Sequence, residues 1–411
     1  MSKSRISSNI IYLYFLTIAK ILFPLLTFPY LTRVLSVDVY GMVSYVRATI
    51  IYMQILVDFG FSLSAVKDIV RIRNDNKKVG EITGDVIIAK LLLCAIGMLI
   101  LLVLCVSISI LQNNLLYTFL SYVVVILSVF LLDYLFRGIE EMQLVSLSFI
   151  IMKGASTLLT FVFVRSDADI LWIPVLDIIS SFFALFFVYA QLKRLHIKIV
   201  FRNIIYALRS LKKSFVYFIS NMATTAFGGL NTMLIGIYIP DVKEIAYWSV
   251  AMTLISGAQA LYSPITGGVY PQMVKNPSLK ILKKIFAVFM PCVVGGCLFT
   301  YAFAPEIIRI INGPQYERAA EILRLLVPVL LFSFPSMLIG WPTLGAIDKA
   351  GDVTKTTVFT CVFQVAGLLL FVVLQCFTLT AVAILRGVTE MVLLGTRFGY
   401  FMKYRKEFAK S

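Results

Sequence analysis

Charged residues are scarce in this chain of 411 residues. Only 14% are Asp, Glu, Lys or Arg, 60% are hydrophobic, and the mean hydropathy is +0.93. A soluble domain is about one quarter charged, so a water-soluble fold of this length has no means of burying so much apolar surface. A helix that crosses a bilayer needs about 20 apolar residues, and such runs recur along the chain. The sequence therefore predicts an all-α integral membrane protein.

The groups that most enzymes use are also rare. The chain has one histidine, His196, and no Walker loop, GxSxG or HExxH sequence. Its six cysteines fall within apolar runs or at their ends, without a CxxC pair or a Cys/His cluster. The net charge of +16 comes without the basic reading helix or aromatic sheet motif of a nucleic-acid-binding protein. We therefore expect a non-enzyme with no cofactor, no metal and no nucleic-acid partner.

The apolar runs predict about twelve transmembrane helices. Basic residues concentrate in alternate loops, and the opposite set of loops holds few of them. Because Lys and Arg are retained on the cytoplasmic side, both termini are predicted to be cytoplasmic, which requires an even number of helices. The predicted helices are residues 10–32, 40–66, 84–108, 115–136, 144–164, 170–190, 215–239, 245–268, 285–311, 318–345, 354–377 and 379–402.

The second half of the chain weakly repeats the first. Phe136–Glu141, after the fourth predicted helix, resembles Gly345–Lys349, after the tenth. Six helices per half make this a parallel repeat. We predict a six-helix lobe at 1–194, an amphipathic helix on the cytoplasmic leaflet at 195–214, and a second six-helix lobe at 215–411.

Two predicted helices carry charged stripes. Arg47 and Asp58 are eleven residues apart, and steps of about 100° place them on nearly the same helix face. Arg386, Glu390 and Arg397 form a second narrow stripe. A charge in the bilayer centre costs roughly 3 kcal/mol on insertion scales unless it faces water or a partner. These stripes are therefore expected to face protein or a water-filled cavity.

Further charges fall inside predicted helices, and together they predict a polar, cation-rich cavity. The candidate substrate-cavity residues are Arg47, Lys153, Arg386, Arg397 and Lys20. The candidates for ion coupling or structural ion pairs are Asp58, Asp177 and Glu390. The competing interpretation is that Arg386 with Glu390, or Arg47 with Asp58, pins neighbouring helices together. Near the predicted cytoplasmic boundary, snorkelling explains Lys90, and an i, i+4 pair explains Asp133 with Arg137.

Several short strings in the chain are shared with one family of membrane proteins. They are Thr27–Leu35 with Tyr40 and Gly41, Asp58–Phe61, Phe136–Glu140, Ala304–Ile308 and Asn312–Tyr316. With these strings the chain resembles the Wzx-type O-antigen flippases, in the polysaccharide-transporter branch of the superfamily that also holds the MATE drug exporters. The resemblance implies a bacterial inner-membrane protein that moves undecaprenyl-pyrophosphate-linked oligosaccharide repeat units by alternating access. It also implies a polysaccharide polymerase and a chain-length regulator as partners.

Two other functions fit a polytopic chain. A MATE-type drug or cation antiporter would more naturally have an acidic, apolar cavity, and the excess of cations inside the helices argues against it. A membrane polysaccharide polymerase or acyltransferase would be expected to carry catalytic residues on a long periplasmic loop. Every loop predicted to be periplasmic here is short.

Overall fold

The computed structural model describes residues 3–408, with side chains described for 12, 14–219, 222 and 229–408. Over this range the chain is helical and contains no β-strand. It divides into two compact units, Met1–Thr225 and Ala226–Ser411. The helices of unit 1 are α1 Lys3–Val34, α2 Val37–Asp58, α3 Phe61–Ile72, α4 Asn76–Ser107, α5 Ser109–Gln112, α6 Leu115–Ser128, α7 Asp133–Gly138, α8 Met142–Phe163 and α9 Trp172–Arg194.

Helix α10, Ile204–Tyr238, runs from unit 1 into unit 2. A short π-helical segment, Ile339–Leu344, follows α15. The remaining helices are α11 Val242–Ala260, α12 Tyr262–Lys275, α13 Leu279–Ala302, α14 Ala304–Ile311, α15 Ala319–Leu338, α16 Ala350–Val373 and α17 Leu379–Tyr404.

Ten helical segments in the described part of the chain are long and apolar enough to cross a membrane. They coincide with ten of the twelve predicted helices. The predicted helices at 215–239 and 245–268 have no counterpart among the ten, although α10, α11 and α12 occupy that part of the chain. Within α10, Gly229–Tyr238 is a shorter apolar helix.

The second predicted helix, 40–66, is interrupted in the structure. Phe59 and Gly60 have φ angles of 41° and 76°, so α2 ends at Asp58 and α3 begins at Phe61. Glycine adopts this left-handed backbone without the steric penalty of a Cβ. A Cβ on Gly60 would also lie 2.5 Å from the Cβ of Tyr217. The break therefore depends on a close approach between this turn and α10.

The two similar strings noted in the sequence form the same turn. Glu140 and Asp348 both have left-handed backbones, with φ angles of 63° and 62°. In each turn the following residue donates its amide to the carbonyl five residues earlier, at 2.9 Å in unit 1 and 3.0 Å in unit 2. This bond satisfies a carbonyl that the helix end leaves open. The weak sequence repeat thus marks a repeated piece of backbone.

The predicted linker helix is wrong over its first half, because residues 197–203 are not helical and α10 begins only at Ile204. The carbonyls of Lys198 and Val200 occupy the positions where Cβ atoms of Gly80 and Gly84 would stand. The amide of Val200 also donates to the Gly80 carbonyl at 3.1 Å. Two glycines one helical turn apart on α4 therefore let the non-helical linker backbone lie directly against the helix.

An arginine holds the linker at the same place. Arg202 pairs with Glu81 at 3.1 Å and, through two hydrogen bonds, with Asp85, whose side chain is only 4% exposed. Hydrogen bonding to Asp85 raises the pKa of Arg202 above its ordinary value. The guanidinium carbon lies 4.2 Å from the centroid of the Tyr206 ring. Charge pairing and backbone docking thus fix the linker to unit 1.

Candidate functional site

One face of α2 carries the first predicted charged stripe. Four residues on this face follow one another at helical spacing, and each is exposed or half-buried within unit 1. They are Arg47, Ile51, Gln54 and Asp58. Gln54 donates to the Ser128 hydroxyl at 3.1 Å. Arg47 is exposed and forms no hydrogen bond or ion pair with any residue whose side chain the structure describes. The α2 face therefore presents an available guanidinium.

Arg47 belongs to a group of side chains from four helices, here called the Arg47 cluster: Arg47, Tyr117, Lys153, Ser156 and Asp177. Lys153 Nζ lies 2.9 Å from Asp177 Oδ1, and the Ser156 hydroxyl donates to the same oxygen at 2.6 Å. Arg47 is close enough for its charge to act on Asp177 and Tyr117. Because Lys153 and Asp177 neutralise each other, the positive charge of Arg47 is left over.

A second group in unit 1, the Lys90 cluster, comprises Asp58, Lys90, Asp133 and Tyr134. The Lys90 ammonium lies 2.9 Å from Asp58 Oδ1 and 5.6 Å from the centroid of the Tyr134 ring. The Lys90 side chain is only 8% exposed, whereas that of Asp58 is 42% exposed. The snorkelling predicted for Lys90 is therefore wrong, because its charge is buried and paired. Asp58 has Lys90 as its partner, rather than Arg47.

Two more basic side chains, Arg137 and Lys20, act on the Lys90 cluster through Asp133. The predicted ion pair between Asp133 and Arg137 is absent from the ion pairs of the described side chains, although the charge of Arg137 acts on Asp133. Asp133 is exposed where α7 begins, after the left-handed backbone of Leu132. Lys20 is also exposed, with its ammonium 5.5 Å from the centroid of the Phe149 ring, and its charge reaches Asp133. Lys20 on α1 therefore lies near this cluster.

In unit 2, the stripe on α17 is buried. Arg386 Nη1 lies 2.9 Å from Glu390 Oε2, one turn along the same helix. The two side chains are 10% and 7% exposed. The pair therefore neutralises two buried charges one turn apart on α17.

Arg397 connects three elements of unit 2. It donates to the Ser336 carbonyl at 2.9 Å and to the Ser336 hydroxyl at 3.1 Å, at the end of α15. It also donates to the Thr357 hydroxyl on α16 at 3.1 Å. A Cβ on Gly340 would lie 3.0 Å from the guanidinium, at the non-helical backbone that follows α15. These contacts place the guanidinium in the interior of unit 2.

A buried polar network in unit 2 escaped the sequence analysis. The Gln364 amide donates to Asn231 Oδ1 at 2.9 Å, and Thr389 donates to Gln364 Oε1. The three residues are uncharged, so no charged stripe marks them in the sequence. In the described residues, no three His, Cys, Asp or Glu side chains approach closely enough to hold a metal ion. The network joins α10, α16 and α17.

The sequence matches a known family over much of its length. The family described as "Polysaccharide biosynthesis protein" matches residues 6–277. This chain belongs to that family. It is 28% identical over 325 residues to a "Putative O-antigen transporter" of Shigella dysenteriae, covering 77% of this chain and 80% of that protein. It is also 28% identical over 342 residues to the protein of the same name from Escherichia coli strain K12, covering 80% of each.

Solved structures with a similar fold are membrane transporters. An inward-facing multidrug resistance MATE transporter of the MOP superfamily has a TM-score of 0.72 at 14% identity, over 98% of this chain and 99% of that one. The lipid II flippase MurJ, in an inward closed conformation, has a TM-score of 0.68 at 13% identity, over 96% and 87%. At these identities the likeness shows the fold alone. The family match and the ten candidate spans together identify a multi-pass membrane protein, whose relatives are named as transporters and whose fold resembles that of MOP-superfamily transporters.

Proposed function

We propose that this protein is a flippase for undecaprenyl-pyrophosphate-linked oligosaccharide repeat units. It moves them from the cytoplasmic to the periplasmic leaflet of a bacterial inner membrane by alternating access. The proposal includes twelve transmembrane helices in two six-helix lobes with cytoplasmic termini, and a polysaccharide polymerase and chain-length regulator as partners. Family membership, the relatives named as O-antigen transporters and the MOP fold support it.

The observation that carries the proposal is the Arg47 cluster. A pyrophosphate needs cationic donors, and a guanidinium offers a planar fork that matches phosphate oxygens. Arg47 offers this fork from an exposed position in the middle of α2. The neighbouring Lys153–Asp177 pair adds no net charge, so the cluster favours an anion over a cation.

The same cluster suggests how an ion gradient enters the cycle. Asp177 holds the Lys153 ammonium at 2.9 Å. A proton on Asp177 would weaken this pair and alter the charge that the cluster presents to a phosphate, so proton uptake and anion binding at this cluster are linked. Asp58 and Glu390 hold cations in the same way and are further candidates for coupling.

The remaining predicted cavity residues receive different roles in the proposal. Lys20 is exposed on α1 and extends the cationic surface towards the Lys90 cluster. Arg386 and Arg397 are buried against Glu390, Ser336 and Thr357, so they act by positioning α17 within unit 2.

Replacing Arg47 tests the proposal. The gene is deleted in its own host, and variants expressed from a plasmid are compared by surface polysaccharide and by lipid-linked units left on the cytoplasmic face. Arg47→Ala is expected to lower surface polysaccharide at least tenfold, and Arg47→Lys to restore it only partly, because an ammonium lacks the bidentate fork. Arg71→Ala is the matched control, since Arg71 is an exposed arginine on the adjacent helix α3. Normal export by an Arg47→Ala protein present at wild-type level would contradict the proposal.

A MATE-type drug or cation antiporter is the second candidate, because the fold matches such a transporter with a TM-score of 0.72. Its cargo would be cationic, and the charge of Arg47 would repel it. Overproduction of the chain would then protect sensitive cells from cationic dyes, and Arg47→Ala would increase that protection. Dye resistance with unchanged surface polysaccharide in the deletion strain would favour the antiporter.

A further inference from the structure

Unit 2 contains an apolar groove between α13, α15 and α17, with a volume of about 780 Å³. Its walls are almost wholly aliphatic and aromatic, including Phe286, Met290, Leu331 and Phe398. Two basic residues, Lys283 and Arg405, are the exceptions. A space of this volume is typical of a ligand site.

The groove runs along the helix axes. On α13 its lining extends from Leu279 to Met290, and along α17 from Met391 to Arg405, the residue after the helix end. At about 1.5 Å per residue these stretches measure roughly 17 and 21 Å. The hydrocarbon core of a bilayer is about 30 Å thick, and all three helices are long and apolar enough to cross it. The groove is therefore about as long as one lipid leaflet is deep.

Both cations lie at the same end of the groove. Lys283 is near the start of α13, and Arg405 directly follows the end of α17. Neither forms an ion pair or hydrogen bond with a residue whose side chain the structure describes. The loop charges predict this end to be cytoplasmic. An amphiphile with one apolar chain and an anionic head group matches this arrangement.

The packing of α13 indicates that something else completes the groove. Only 6% of the α13 span is buried, the smallest share among the ten spans of the described chain. Interiors are close-packed, and an unfilled space forfeits dispersion contacts. A hydrocarbon chain in the groove would restore these contacts between α13 and α17.

We propose that the groove binds an anionic glycerophospholipid of the bilayer, with one acyl chain along α13 and α17 and its phosphate between Lys283 and Arg405. The leaflet length favours an acyl chain, since an undecaprenyl chain is longer than one leaflet. Mass action also favours the bilayer lipid, because it is always in excess around the protein. The site differs in place and chemistry from the Arg47 cluster, so it adds a lipid requirement to the proposed function.

Gly395 allows the groove to be blocked without a clash. It lines the groove, and a Cβ at this position meets no atom within 4 Å. Gly395→Phe would therefore extend its ring into the space for the chain. Gly399 provides the matched control, because it lies one turn further along α17, has the same open surroundings and does not line the groove.

The test uses the full-length protein purified in detergent and native mass spectrometry with equimolar phosphatidylglycerol and phosphatidylcholine. The wild type and Gly399→Phe are expected to retain phosphatidylglycerol preferentially, and Gly395→Phe to lose the bound lipid. Lys283→Ala and Arg405→Ala should each weaken retention about fivefold, the effect of one basic residue at an anionic lipid surface. Size-exclusion profiles establish that each variant is folded.

Two results would overturn the proposal. Equal retention of both lipids by the wild type would remove the head-group assignment. Displacement of phosphatidylglycerol by an equimolar polyprenyl phosphate, blocked by Gly395→Phe, would assign the groove to an isoprenoid chain instead. Neither result depends on the export assay, so failure here is distinguishable from failure of the proposed flippase function.

Discussion

The ion pair between Asp58 and Lys90 is unequally buried, and this asymmetry leads to a specific prediction. The Lys90 side chain is 8% exposed and that of Asp58 is 42% exposed. Asp58→Asn leaves a buried ammonium without its ion-pair partner. Lys90→Met leaves a carboxylate that is already 42% exposed and replaces the lysine chain with an uncharged one of similar length. We therefore expect Asp58→Asn to be the more destabilising of the two.

The magnitude follows from the exposure of the two groups. Removing one partner of a fully buried pair costs about 3–5 kcal/mol. The partial exposure of the site on the Asp58 side and the Tyr134 ring, 5.6 Å from the ammonium, compensate part of this, which leaves about 2 kcal/mol for Asp58→Asn. Lys90→Met should cost less than about 1 kcal/mol, and the double variant should be close to the wild type.

Thermal unfolding of the purified protein in one fixed detergent measures the difference. For a unit of this size, about 2 kcal/mol corresponds to a Tm lower by roughly 4–8 °C. A loss of Tm in Lys90→Met that equals or exceeds that in Asp58→Asn would refute the reasoning. Export assays on the double variant then separate the two roles of Asp58. Normal export assigns Asp58 to neutralising Lys90, and a stable protein without gradient-dependent export assigns it to ion coupling.

Three further predictions concern topology, coupling and the linker. In a cysteine-free background, a cysteine at Lys212 should be protected from a membrane-impermeant thiol reagent and one at Arg165 labelled, and the reverse pattern would contradict the predicted topology. Asp177→Asn should leave membrane insertion intact and make export less dependent on the proton gradient; unchanged dependence would favour a structural pair with Lys153. Arg202→Ala leaves the buried Asp85 carboxylate without its arginine partner and should speed proteolysis within the linker severalfold. An unaltered rate would show that backbone docking alone holds the linker.

Composition and periodicity were enough to identify the membrane protein and most of its spans. Ten predicted helices match ten spans because about 20 consecutive apolar residues have few alternatives to crossing a bilayer. The common face of Arg47 and Asp58 also followed from the sequence, since helical spacing is a local property. The turn at Glu140 was also detectable, because a similar short string recurs near Asp348 and a turn depends on local sequence.

The partners of the charges were beyond the reach of the sequence. Lys90 is 32 positions from Asp58, and Arg397 is 61 positions from Ser336, so only the packing of α2 on α4 and of α17 on α15 brings them together. The helical break at Gly60 and the non-helical linker beside Gly80 depend equally on close contacts with distant backbone. Local periodicity thus determined which residues form helices and which face each charge occupies. Tertiary packing decided the partners of Asp58, Asp177 and Arg397, and it left Arg47 available.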